Sequence, residues 1–189
     1  MSLMRLAYLA ALSLVIAGLV HIGSLLGVPR VATAGPYERL GAVGADGRFA
    51  VLADEGDGAN LLPFRDPAFV TAACRFDLAK GPVTVTAALP STYGALSVHS
   101  RYGQPFYSLT DRAATDGGVE VTIYSKDDVA AAEIEDPAEG RPQLRIVSPT
   151  PTGFVLVRLF AAAASARPAL RELAGKAACG PAVTRKLSS

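Results

Sequence analysis

The stretch Gly81–Leu109, "GPVTVTAALPSTYGALSVHSRYGQPFYSL", decides the fold. In "VTVTA" apolar and hydroxyl side chains alternate, Val83 and Val85 facing one way and Thr84 and Thr86 the other, which is the period of a half-buried strand. "ALSVHS" and "PFYSL" flank "RYGQ", whose Tyr102-Gly103 centre suits a tight turn, so Ala95 to Leu109 reads as a hairpin. Within "ALSVH" the pleat puts Leu96 and Val98 on one face and Ala95, Ser97 and His99 on the other, less buried one.

Working outward, "VEVTIY" (Val119–Tyr124) aligns Val119, Val121 and Ile123 on one face of a further strand, and "RFAVL" (Arg48–Leu52) is a short strand before a Gly-rich loop. "QLRIV" and "GFVLVRLF" read as another strand pair around the "SPTPTG" turn, where Pro149 and Pro151 block regular ladder bonds. Three short helices are expected. "DPAFVTAAC" offers Asp66 as N-cap and Pro67 at the first helical position, ending near Cys74. Ser125 caps "SKDDVAAAE", and Ser165 caps "SARPALRELAGKAAC", which Gly180-Pro181 stops. Six or seven strands in mostly hairpin order predict an α+β, mostly β domain, an antiparallel sheet or sandwich, preceded by one N-terminal transmembrane helix.

That N-terminal helix is "LAYLAALSLVIAGLVHIGSLLGV", Leu6–Val28, 23 residues without Lys, Arg, Asp or Glu. At about 1.5 Å per residue it reaches about 35 Å, enough to cross a hydrocarbon core of about 30 Å. A secretory apolar region is shorter, about 7–15 residues, so length favours a retained anchor. The "ATAG" at Ala32–Gly35 has the small-residue pattern of a signal-peptidase site, and cleavage after Ala34 stays open. The expected organisation is an anchor over 1–29, a linker over 30–47 with one helical turn near Tyr37 to Val43, and an exported α+β domain over 48–189. A short N-terminal tail carrying Arg5 favours a cytoplasmic N-terminus, an inner-membrane location and a periplasmic domain.

Charge and composition exclude several classes. The 189-residue chain holds 18 Lys plus Arg against 17 Asp plus Glu, so it presents no basic field for nucleic acid. It has no GxGxxG, Walker loop or GxSxG, no HxxxH and no paired CxxC, so no cofactor and no metal are implied. Its two cysteines, Cys74 and Cys179, both fall in the exported part, where they form a disulfide or stay as separate buried thiols. As a disulfide they would tie the C-terminal helix to the domain.

Few residues are candidates for chemistry. His99 is the single histidine beyond the anchor; as a general base it would need a partner, for which Asp111, Asp77 and Ser100 are available, and otherwise it is a satisfied strand histidine. Arg158 shares a face of "GFVLVRLF" with Phe154, Leu156 and Phe160, while Val155, Val157 and Leu159 take the other, which makes the strand central. Its guanidinium then calls for a carboxylate, Asp77 or Asp111, unless it serves an anion. Tyr102 and Tyr107, with the "FDLAKGP" loop beside them, extend the polar face around His99 into a surface for binding another protein.

The middle of the chain also carries a pattern: Asp66-Pro67, Cys74-x-Phe76-Asp77-Leu78, Gly81-Pro82, Ser97-Val98, Gly103-Gln104, Tyr107-Ser108 and Asp111-Arg112, followed by the apolar strand Phe154–Phe160 and the terminal Cys179. It resembles domain-of-unknown-function family 1254, specifically its short, membrane-anchored alphaproteobacterial members. The chain departs from that pattern in having Tyr93-Gly94-Ala95 where a tryptophan is frequent. The resemblance implies a mostly β fold, retention of the anchor, and a protein partner of the domain-of-unknown-function family 1214 type; it implies no activity. The resulting expectation is a single-pass inner-membrane protein with an exported binding or assembly domain. Its alternative is an envelope enzyme, hydrolase-like, using His99 with Asp111 or Asp77.

Overall fold

Apolar positions that alternate along Val83–Ala88 and Gly94–Ser100 point into one space, the gap between two sheets. In the computed structural model, which describes residues 2–31, 35–54, 61–62, 65–129 and 144–182, the chain forms two compact units, Met1–Ala34 and Gly35–Ser189. The first is helix α1, Leu3–Val31, whose Leu3–Val28 part is long and apolar enough to cross a membrane. The second is α+β and mostly sheet.

Its elements are α2 (Pro36–Gly41), β1 (Ala50–Val51), β2 (Phe69–Asp77), β3 (Val83–Ala88), β4 (Gly94–Ser100), β5 (Pro105–Thr110), β6 (Gly118–Tyr124), β7 (Leu144–Val147), β8 (Thr152–Phe160), α3 (Arg167–Gly175) and β9 (Ala178–Pro181). One sheet has the order β1-β2-β8-β4-β5 and is antiparallel throughout. The other has the order β7-β6-β3-β9, with β6 and β7 parallel. Val70, Ala72, Leu96, Val98, Val155 and Val157 of the first meet Val83, Val85, Val121 and Ile123 of the second in a continuous core. Each of the Val, Leu and Ile side chains among them contributes about 1.5–3 kcal/mol when fully buried.

The hairpin, β3 and β6 form as their period-two patterns require. The stretch expected as a helix from Asp66 to Cys74 is instead strand β2, paired with β8 over nine residues from Phe69–Phe160 to Asp77–Thr152. Asp66 Oδ1 accepts from the Ala68 amide at 2.8 Å, so the cap signal closes a local turn rather than a helix. The strand lacks alternation because both faces are covered. Leu40, Ala45 and Leu52 of the segment before β2 pack on Ala73 and Phe154 from outside the sheet, with Tyr37, Val43 and Leu156 at their margin.

This outer layer draws residues upstream of Arg48 into the packed unit, with α2 as the helical turn. The "QLRIV" and "GFVLVRLF" strands do not pair with each other: β7 joins β6, and β8 lies between β2 and β4, so the proline-containing turn carries the chain from one sheet to the other. Ser125 caps its helical turn as expected, its Oγ accepting from the Asp128 amide at 3.0 Å; the rest of that stretch, from 130, lies outside the described residues. The final helix is shorter than expected. A 3-10 turn at Ala164–Ala166 takes up Ser165, whose side chain does not cap, and α3 ends at Gly175.

Candidate functional site

Cys179 therefore sits on β9 and not on a helix. It bonds to Cys74 of β2, so the disulfide staples one sheet to the other across the core rather than fixing the C-terminal helix.

The outer face of the five-stranded sheet divides in two. Around Phe154 and Leu156 it lies under the α2 layer, and toward Phe69, Arg158 and Phe160 it opens. His99 stands at the covered end. Its ring stacks on Phe154, centroids 4.9 Å apart and planes 6° from parallel. His99 Nδ1 lies 3.1 Å from the Gly103 carbonyl, which can only accept, so Nδ1 carries the proton. The neutral ring then offers its Nε2 lone pair to Ser97 Oγ, 2.9 Å away and two residues back on the same strand. Burial lowers the His99 pKa below its usual value, outweighing the Gly103 hydrogen bond, and the positive Arg158 acts in the same sense as burial.

Neither expected carboxylate partners His99. Asp77 Oδ1 accepts from the Ala79 amide at 3.0 Å and caps the 3-10 turn Leu78–Lys80. Asp111 Oδ1 is 3.5 Å from the Gly94 amide at the opposite end of β4. The carboxylates were candidates by residue type alone, whereas a hydroxyl on the same pleat face reaches the ring; the shared face of Ser97 and His99 was the available signal. Ser100, the third candidate, is buried on the other face, and its Oγ has no hydrogen-bond partner among the described residues.

Arg158 does lie on a central strand, but its side chain is exposed. No ion pair holds it among the described residues; its guanidinium lies 6.0 Å from the Phe69 ring centroid, so solvent and an aromatic face replace the expected carboxylate. Phe69 touches Phe160 at 5.6 Å and Tyr93 edge-on at 5.9 Å. Beside Tyr93 an open cavity of about 460 Å³ is lined by Ser91, Thr92, Tyr93, Thr110, Asp111 and Arg112.

The two candidate tyrosines separate. Tyr102 is 70% exposed at the tip of the β4–β5 hairpin, next to Arg101, which bonds Glu38 at 2.6 Å. Tyr107 is half-buried and packs against the main core, because β5 turns it inward between the sheets. The "FDLAKGP" loop lies at the hairpin's end of the sheet, since Asp77 pairs with Thr152 and Ser100 with Gly153. Lys80 is exposed there and Leu78 buried. An ion-pair cluster not anticipated from sequence forms elsewhere: Arg65 at 3.3 Å, Arg167 at 2.7 Å and Arg171 all engage the Asp54 carboxylate. Burial alone would raise the Asp54 pKa, but the hydrogen bonds from Arg167 and Arg171 outweigh it and hold the carboxyl below its usual range. No group of three or more His, Cys, Asp or Glu able to hold a metal occurs among the described residues.

Fold and surface together define a two-sheet α+β domain stapled by a disulfide and preceded by an apolar helix. The chain belongs to the family described as protein of unknown function (DUF1254), which it matches over residues 66–181. No curated protein matches it. Two solved structures are similar: the VPA0106 protein from Vibrio parahaemolyticus, at 11% identity and a TM-score of 0.49 over 63% of this chain, and a putative uncharacterized protein from Burkholderia cenocepacia, at 14% and 0.42 over 62%. The matched regions make up 29% and 32% of those proteins, so the chain spans about a third of their length.

Proposed function

We propose that this is a single-pass inner-membrane protein whose disulfide-stapled domain stands in the periplasm and serves binding or assembly there. The observation that carries the reading is the Cys74–Cys179 bond, because a buried disulfide persists in an oxidising compartment. The Leu3–Val28 helix supports attachment, being long enough to span a bilayer. Contact with a protein partner, such as one of the family 1214 type, falls to the hairpin tip, where Tyr102 projects beside Arg101; an exposed aromatic next to a guanidinium is a common interface anchor. The test is the intact mass of chain extracted from membranes without reductant and treated with a thiol alkylator. The expected species starts upstream of Gly35 and takes no label. Alkylated cysteines would overturn the compartment, and a chain beginning at Gly35 would overturn the anchor.

A second reading is favoured by the Ser97–His99 hydrogen bond. In an envelope hydrolase, Ser97 Oγ would pass its proton to His99 Nε2 as it attacks an ester carbonyl; the alcohol would leave with that proton, and water would release the acyl group from Ser97. The Gly103 carbonyl holds the ring in the required tautomer. A fluorophosphonate probe should then label Ser97, and His99→Gln should abolish labelling. No label on the folded chain removes this reading and leaves the first intact.

A further inference from the structure

Arg158 stands in the open part of the outer sheet face, and no binding step above uses it. Residues directly opposite in antiparallel strands point to the same side, so the register sets a row of four: Thr71 on β2, Arg158 on β8, Ala95 on β4 and Thr110 on β5. The neighbouring row toward the hairpin is Ala73, Leu156, Ser97 and Ser108, and on the other side Phe69 lies opposite Phe160. None of these residues carries a negative charge. The exposed guanidinium is therefore the single charge in this part of the face, and it reaches the neighbouring strand, where it helps to lower the His99 pKa.

Ala95 separates Arg158 from Thr110. Adjacent strands lie about 4.8 Å apart, so the Arg158 and Thr110 backbones stand about 10 Å from each other with only a methyl group between them. That gap admits one planar oxyanion group over Ala95, with a guanidinium on one side and a hydroxyl on the other. The Thr110 hydroxyl has no hydrogen-bond partner among the described residues and is free to donate. A planar fork with one positive charge matches a carboxylate, two oxygens sharing one negative charge, better than a phosphate dianion. The rest of the ligand meets apolar surface: the Arg158 guanidinium lies 6.0 Å from the Phe69 ring centroid, Phe69 touches Phe160 at 5.6 Å, and both rings are half-buried.

We infer that Arg158 binds the carboxylate of a small organic acid over Ala95, with the Thr110 hydroxyl donating to the same group and the acid's apolar body against Phe69 and Phe160. The site shares no residue with the hairpin tip or the Ser97–His99 pair, and it stands or falls independently of both. The test uses the full chain in lipid nanodiscs, with saturation-transfer NMR to phenylacetate and, as the uncharged counterpart, phenylacetamide, each at millimolar concentration and neutral pH, with the signal from empty nanodiscs subtracted. Transfer to the ring protons of phenylacetate is expected, and little or none to the amide. Two variants check the location. Arg158→Gln removes the charge from an exposed side chain and should weaken binding by about tenfold or more, and Thr110→Val removes the hydroxyl while keeping the shape and should weaken it about threefold, the thermal midpoint being retained in both. No transfer to phenylacetate, equal transfer to the amide, or binding that survives unchanged in either variant overturns the assignment.

Discussion

Cys74 and Cys179 are 105 residues apart in the chain and joined through the core, one on each sheet. Closing a loop of that length restricts the unfolded chain by about 4–5 kcal/mol in the chain-entropy account. The double variant Cys74→Ala, Cys179→Ala should lose stability on that scale. Urea unfolding with and without reductant measures it: reductant should lower the parent midpoint strongly and leave the double variant unmoved.

Gly153 of β8 stands between β2 and β4 at a position with no room for a side chain. A methyl group there would run into the His99 carbonyl of β4 and the Phe76 ring of β2, well inside van der Waals contact. Neither can yield easily, since one is backbone and the other is a buried ring. Gly153→Ala should cost about 1–3 kcal/mol or more, seen as a lower urea midpoint with an unchanged slope. Gly180→Ala is the control, because nothing lies within contact of a methyl group at that position.

The unequal legibility of the fold has a physical cause. Strands with one covered face, such as Val83–Ala88 and Gly94–Ser100, announce themselves by alternation. Phe69–Asp77 is covered on both faces, so its apolar run carries no period, and a local Asp-Pro turn imitates a helix start. What covers it is Leu40 and Ala45, whose Gly- and Ala-rich surroundings read as linker, with Leu52 from the end of the short strand stretch Arg48–Leu52. The same limit applies to the site. The shared pleat face of Ser97 and His99 was visible in sequence, but the sheet order that places Asp77 and Asp111 away from the ring depends on pairings between distant segments. The cavity at Tyr93 needs the end of β5 beside the turn before β4, and Asp54 needs three arginines from two separated segments.

His99 should make the domain sensitive to mild acid. Its folded pKa lies below the usual 6.5, chiefly through burial, so the unfolded chain binds the proton more readily. The stability this group contributes is fully present above about pH 6.5 and is lost as pH falls through the lower folded value. Protonation would also place a donor on Nε2, so that the Ser97 hydroxyl could no longer donate to it. Urea midpoints between about pH 7.5 and about pH 5.5 should decline in the parent chain. His99→Gln, which cannot titrate, should flatten that decline.

Asp54 holds together segments that share no strand pairing. Arg65 reaches it from the loop before β2, and Arg167 and Arg171 from the first turns of α3, while Arg65 and Arg167 also donate to the Ala53 and Pro67 carbonyls at 2.6 and 2.7 Å. Asp54→Asn keeps the shape and removes the one charge facing three guanidiniums, so the arginines repel one another at partly buried positions. The expected cost is about 1–2 kcal/mol, more than an isolated surface pair would give. Adding the single variant Arg171→Ala to Asp54→Asn should recover part of that loss, because it removes the most exposed of the three like charges. A double-mutant cycle in urea checks this, and strictly additive losses would show that Asp54 and Arg171 act independently.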